Sequence, residues 1–125
     1  MKQRVNTSNA PAPIGPYSQA IKKGDTLYVS GQIAIDPKTG EMNTGEISIE
    51  TEQVMKNMSA ILNEAGMSFD NIVKTTIFIK NMQQFAQINA VYGKYFGDVP
   101  PARETVEVSG LPKYVNVEIS CIAID

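Results

Sequence analysis

Two side chains in the last quarter of the chain have the types to do chemistry on a small organic acid. Arg103 directly follows Pro100-Pro101-Ala102, and Glu118 lies in the run YVNVEISCIAI. An arginine presents a planar fork that binds a carboxylate through two hydrogen bonds, and a glutamate can position or activate a water. Period-2 alternation puts Arg103, Thr105 and Glu107 on one strand face and Val106 and Val108 on the other. If this strand pairs antiparallel with the last one through the SGLPK loop, Thr105 falls opposite Glu118 and Arg103 lies diagonal to it. A carboxylate clamp beside a water-handling acid fits that arrangement. So does an ordinary cross-strand ion pair, worth about 0–1 kcal/mol if exposed. The spacing leaves both open.

Further candidates surround this pair. Tyr17 and Ser18 follow a stiff loop, NAPAPIGP, whose three prolines deliver them to a defined place. Packing and a local turn would explain them equally well. Ser30 is a strand hydroxyl. Gly31, inside the apolar alternation LYVSGQIAI, marks a bulge or a close approach of another group to the backbone. Asn89 sits at the border of a helical apolar stripe, where a bond to a neighbouring loop would also account for it. Cys121 falls on an apolar face and reads as a small buried hydrophobe.

Absences narrow the chemistry. The 125 residues contain no histidine and one cysteine. Histidine-based triads, histidine general bases, intrachain disulfides and Cys/His zinc sites are therefore out of reach. No Asp-x-Asp run suggests a carboxylate metal site. With thirteen acids against eleven bases the net charge is −2, which disfavours a nucleic-acid module dependent on phosphate neutralisation. No segment approaches the ~18–20 consecutive apolar residues of a membrane helix. The first residues carry positive charge but no apolar core of a secretory signal. The expectation is a cytoplasmic protein of one domain, residues 1–125.

The positioning elements follow from periodicity. Strands are expected at 18–23 and 27–35, with Leu27, Val29, Gly31 and Ile33 on one face and Tyr28, Ser30 and Gln32 on the other. A helix is expected from Ile49 to Ala65, N-capped by Ser48 and stopped by Gly66, with Val54, Met58, Ile61, Leu62 and Ala65 as its stripe. A strand at 72–80 precedes a second helix from Asn81 to Gly97, opened by an Asn81/Gln84 capping box. That helix has the stripe Phe85, Ile88, Tyr92, Tyr95 and Phe96. Strands at 102–108 and 114–124 finish the chain. The order β-β-α-β-α-β-β predicts an α+β domain with two helices on one face of a mixed or antiparallel sheet. In the final strand one face is apolar, while the other mixes Asn116, Glu118 and Ser120 with Ile122 and Ile124. Two helices cover only one face, so the second predicts contact with another subunit and a polar site sunk into the interface.

Seven separated motifs, in order, give the chain a resemblance over nearly its whole length. IGPYSQA (14–20), YVSGQI (28–33), AGM with NIVKTTIFIKN (65–81), VYGKYF (91–96), PPAR (100–103), LPK (111–113) and VEI (117–119) resemble the Rid family of reactive-intermediate deaminases, also called YjgF-type or L-PSP proteins. The resemblance implies a chorismate-mutase-like α+β fold and a homotrimer with sites in the clefts between subunits. It implies hydrolysis of small 2-imino or 2-enamino acids, such as 2-aminoacrylate leaking from pyridoxal-phosphate enzymes, to 2-keto acids and ammonia, with no cofactor or metal. On this resemblance Arg103 matches the arginine that binds the substrate carboxylate, and Glu118 the acid that orients the attacking water. Tyr17, Ser30 and Gly31 match pocket positions, and Asn89 a position near the cleft. Many members carry a small residue and a cysteine where Glu104 and Thr105 stand here, so that Thr105 would line the pocket with a hydroxyl. Many carry an arginine where this chain has Gly110. Endoribonuclease activity, attributed to some relatives, and non-catalytic sensing of a keto acid are the alternatives.

Overall fold

The computed structural model describes residues 1–125. Its strands are β1 (Gln3–Val5), β2 (Ala20–Lys23), β3 (Thr26–Gln32), β4 (Ile72–Ile79), β5 (Ala102–Glu107) and β6 (Val117–Ile124). Its helices are α1 (Ile47–Glu64) and α2 (Phe85–Tyr92). The six strands form one sheet in the order β1-β2-β3-β6-β4-β5. All neighbours are antiparallel except β4 and β5, which run parallel. The expected α+β class with a mixed sheet is what forms; β1 was not anticipated.

Burial explains the strand order. β6 alternates completely, with Val117, Ile119, Cys121 and Ala123 buried, so it suits the centre, between β3 and β4. β5 carries Glu104 and Glu107 and is exposed at most positions, so it suits an edge. It leaves α2 parallel to β4, as a strand-helix-strand crossover requires, and lies on the side of β4 away from β6. The expected β5–β6 hairpin therefore does not form. SGLPK is instead part of a connection that carries the chain past β4, turning at Pro112–Tyr114.

Both helices cover one face. Val54, Met55, Met58, Ile61 and Leu62 of α1, with Ile88 and Tyr92 of α2, pack on Leu27, Val29, Ile77, Ile79 and the odd-numbered residues of β6. The C-terminus of α1 closes as a Schellman motif: Gly66 adopts φ +73°, its N–H reaches Asn63 O, and Met67 N–H reaches Leu62 O at 2.9 Å. The N-terminus departs from expectation. The helix starts at Ile47, which is buried, and the preceding Glu46 makes no side-chain cap; Ser48 lies inside the first turn. The second helical segment is broken into a 3₁₀ turn at Met82–Gln84, α2, and another 3₁₀ turn at Gly93–Tyr95. Asn81 caps Gln83 N–H at 2.9 Å, with no reciprocal bond from Gln84. Its aromatic stripe packs as core, joined by Phe69.

The other sheet face carries no helix. Tyr28, Val106 and Ile124 are each more than two-fifths exposed there, beside the half-buried Phe78, Ile122, Ser120 and Glu118. No helix is long and apolar enough to cross a membrane.

Candidate functional site

Glu118 projects from β6 onto the bare face, in register with Phe78 of β4. On its other side β3 is irregular. Val29 pairs with Cys121, but Gln32, not Gly31, pairs with Ile119. The bulge anticipated at Gly31 is thus present, and it inverts the expected alternation: Gln32 turns to the helix face, where it is buried, and Gly31 turns to the bare face. A Cβ on Gly31 would stand 2.7 Å from Glu118 Cδ. Only glycine leaves room for the carboxyl there.

The same bulge gathers the N-terminal loop. Ser30 Oγ donates to Ser18 O at 2.6 Å, and Ser30 N–H donates to Gln19 O at 2.9 Å. Gln19, buried, accepts from Thr7 N–H and donates to Thr7 O, Ala10 O and Pro11 O, so one amide pins the proline-rich segment. Ile14 N–H donates to the Tyr17 hydroxyl at 3.2 Å. The result is an open cavity of about 290 Å³ lined by Ile14, Tyr17, Ser30, Gly31, Ile33, Pro112 and Glu118. Burial pushes the Glu118 carboxyl above the usual carboxylate range, and none of the chain's ion pairs includes it.

Arg103 occupies a different place. It is in register with Thr75 of β4, so its side chain turns to the helix face at the β5 edge. Nη1 donates to Asn89 Oδ1 of α2 at 2.7 Å. The guanidinium carbon lies 5.4 Å from the Phe85 ring centre and 5.1 Å from that of Tyr92. The Tyr92 hydroxyl shares a 2.7 Å hydrogen bond with Thr75 Oγ1, so the ring that flanks the fork is itself tied to the strand beneath it. Thr105 is on this same face, with its hydroxyl buried and unpaired, while Glu104 points away, as expected. Glu107 accepts from Met82 N–H at 2.7 Å, holding the turn before α2.

Arg103 and Glu118 therefore do not share a patch of sheet within one chain. The expected placement of Thr105 opposite Glu118 rested on a hairpin that is absent. β4 intervenes, and the two side chains leave opposite faces. Tyr17, Ser30, Gly31 and Glu118 come together in one cluster; Arg103, Asn89 and Thr105 come together in another.

The family described as Endoribonuclease L-PSP matches residues 7–125. The chain belongs to this L-PSP, or Rid/YjgF, family. A RutC family protein of Pyrococcus horikoshii is 54% identical over 98% of both chains. A solved structure of a Rid family protein from Yersinia pestis superposes with a TM-score of 0.97 at 52% identity, covering both chains fully. The mouse protein named 2-iminobutanoate/2-iminopropanoate deaminase is 41% identical over 99% of this chain and 92% of its own.

For this Rid chain the two clusters offer complementary chemistry. The guanidinium, framed by two rings and one amide, has its remaining N–H groups free to bind a carboxylate. The desolvated Glu118 carboxyl is suited to exchanging protons nearer neutrality than an exposed glutamate. No group of three or more His, Cys, Asp or Glu comes together to hold a metal ion. Burial pushes the Cys121 thiol up to about 12, so it packs as a hydrophobe. Phe85, Tyr92 and Thr75 around Arg103 were missed because core stripes and strand threonines look alike in sequence. Ile14 sits in the IGPYSQA motif but gave no chemical signal of its own.

Proposed function

We propose that this protein hydrolyses small 2-imino or 2-enamino acids, such as 2-aminoacrylate, to 2-keto acids and ammonia. It does so in a homotrimer whose clefts join the Arg103 cluster of one subunit to the Glu118 pocket of the next. The observation that carries this reading is an unpaired, desolvated glutamate in a cavity on a sheet face without a helix cover. The mouse relative's name and the aromatic-framed fork of Arg103 support it.

The chemistry needs little more. Arg103 and Asn89 fix the substrate carboxylate, leaving the C=N carbon beside Glu118. Ionised Glu118 takes a proton from a water as its oxygen adds to that carbon. The protonated acid gives that proton to nitrogen, completing a carbinolamine. Glu118 then relays the hydroxyl proton to nitrogen as the C–N bond breaks and the C=O forms, so that ammonia leaves and the keto acid remains. An enamine first takes a proton on carbon to become the imine. Imines already hydrolyse in water, so positioning plus acid–base help of roughly 10²–10⁴-fold is sufficient. Tyr17, Ser30, Gly31 and Thr105 shape the cleft. The enzyme so proposed is cytoplasmic, one domain over residues 1–125, and uses no cofactor or metal. RNA cleavage is disfavoured by the absence of histidine and by the net charge of −2.

The test is to generate 2-aminoacrylate in situ with a serine dehydratase and follow pyruvate release. The wild type should accelerate release over the spontaneous rate and Arg103→Ala should not. Equal rates for the two would overturn the proposal.

A further inference from the structure

Glu50, in the first turns of α1, is fully buried and meets no cation. Its Oε2 accepts the N–H groups of Asn116 at 2.7 Å and Val117 at 3.2 Å, and its Oε1 accepts the Asn116 side-chain amide at 2.8 Å. A carboxylate taken out of water and satisfied only by neutral donors is expensive to assemble. What it holds explains its place.

β6 is paired with β4 down to Val117, but its pairing with β3 stops at Ile119. The ladder resumes after the bulge with Gln32 opposite Ile119 and ends there because β3 itself ends at Gln32. Residues 116–118 thus have a strand neighbour on one side only, and Glu50 supplies acceptors on the side of the missing strand. Asn116 is gripped from the other direction as well, where its carbonyl accepts Lys80 N–H at 3.0 Å. Immediately upstream, Lys113 and Tyr114 both hold φ 58°, a left-handed conformation that non-glycine residues adopt only where the surroundings impose it. Just before them Pro112 lines the Glu118 cavity. The backbone fixed by Glu50 therefore carries both Pro112 and Glu118 into the same pocket.

We propose that Glu50 is a positioning residue for Glu118: its buried carboxylate replaces the strand neighbour that β6 loses where β3 ends. Its activity readout rests on the imine-hydrolase reading; its structural readout does not. The experiment compares Glu50→Gln, Glu50→Asp and Glu50→Ala with wild type. Folded fraction is followed by circular dichroism, imine hydrolysis by kcat and KM per folded molecule, and the Glu118 carboxyl titration by carbon NMR. Glutamine keeps one oxygen for the two backbone N–H groups, and the Asn116 amide can turn its oxygen to the new NH₂. Glu50→Gln should therefore stay within about threefold of wild type in kcat, whereas Glu50→Asp and Glu50→Ala should lose roughly tenfold or more with KM changed less than about twofold. In those two the Glu118 titration should also move toward the ordinary carboxylate range. Should the alanine variant not fold, the aspartate variant carries the comparison. An unmoved Glu118 titration, or wild-type kcat per folded molecule in the shortened variants, overturns the proposal. A wild type inactive on imines whose Glu118 titration still moves on Glu50→Asp refutes the hydrolase reading and leaves the positioning role standing.

Discussion

The placement of Arg103 and Glu118 on opposite sheet faces makes subunit complementation the sharpest test of the proposed cleft. Neighbouring strands lie about 4.8 Å apart and rise about 3.3 Å per residue. Arg103 is level with Thr75 and Glu118 with Phe78, one strand to either side of β4. Their backbones are therefore separated by roughly 10 Å across the sheet and a further 10 Å along it, with side chains leaving in opposite directions. The carboxylate and the imine carbon of a 2-imino acid are bonded neighbours, so one such molecule cannot meet both residues of a single chain. If both act on it, they come from different chains. Arg103→Ala and Glu118→Gln should each be nearly inactive when assembled alone. Refolded together at equal concentration, trimers form at random, and a cleft is intact when an Arg103-bearing subunit adjoins a Glu118-bearing one in the right sense. That holds for about a quarter of clefts, so about a quarter of wild-type kcat should return with wild-type KM. Pyruvate release from 2-aminoacrylate provides the assay, and native mass spectrometry verifies mixing and stoichiometry. Mixed trimers no more active than their parents would refute the shared cleft.

Two further outcomes follow from the Glu118 pocket. Gly31→Ala puts a methyl under 3.0 Å from Glu118 Cδ, Oε2 and Cγ, so the Glu118 side chain must turn aside from its Cβ outward. Stability measured by thermal melting should fall by about 1–3 kcal/mol, while kcat should fall roughly 10²-fold because the acid is displaced. The raised Glu118 value sets a pH window with a definite sign. The base form is lost as pH falls through it, so the acid limb of kcat/KM should lie above the ordinary carboxylate range and vanish in Glu118→Gln. Stability runs the other way: burial penalises the ionised form, so the contribution of this group declines as pH rises from the ordinary carboxylate value through the raised one. The Glu118→Gln melting curve should lack that decline; an identical pH dependence in both proteins would rule out the desolvated carboxyl as its cause.

How far the sequence could be read depended on whether a feature is local. α1 was legible because its stripe and its Gly66 stop are local, and the Gly31 bulge because a glycine inside a strand has few other uses. The Ser48 cap failed because burial of Ile47 drew the helix start two residues forward from the expected boundary. The gravest error was the β5–β6 hairpin, since period-2 alternation reports which residues share a face of one strand and nothing about which strands adjoin. Edge or centre is decided by burial on both faces, and the contrast between charged β5 and apolar β6 was the available signal. That error also concealed the most informative feature of the site. Arg103 and Glu118 read as one cluster when their strands are assumed to be neighbours; with β4 between them, a single chain cannot bring the two together. The apolar residues left uncovered on the second face and the separation of the two polar clusters then become the same requirement. In the proposed trimer, the surface that another subunit would bury lies beside the glutamate that another subunit's arginine would complete. Assembly and chemistry should accordingly fail together when that face is made polar, for example by Val106→Lys.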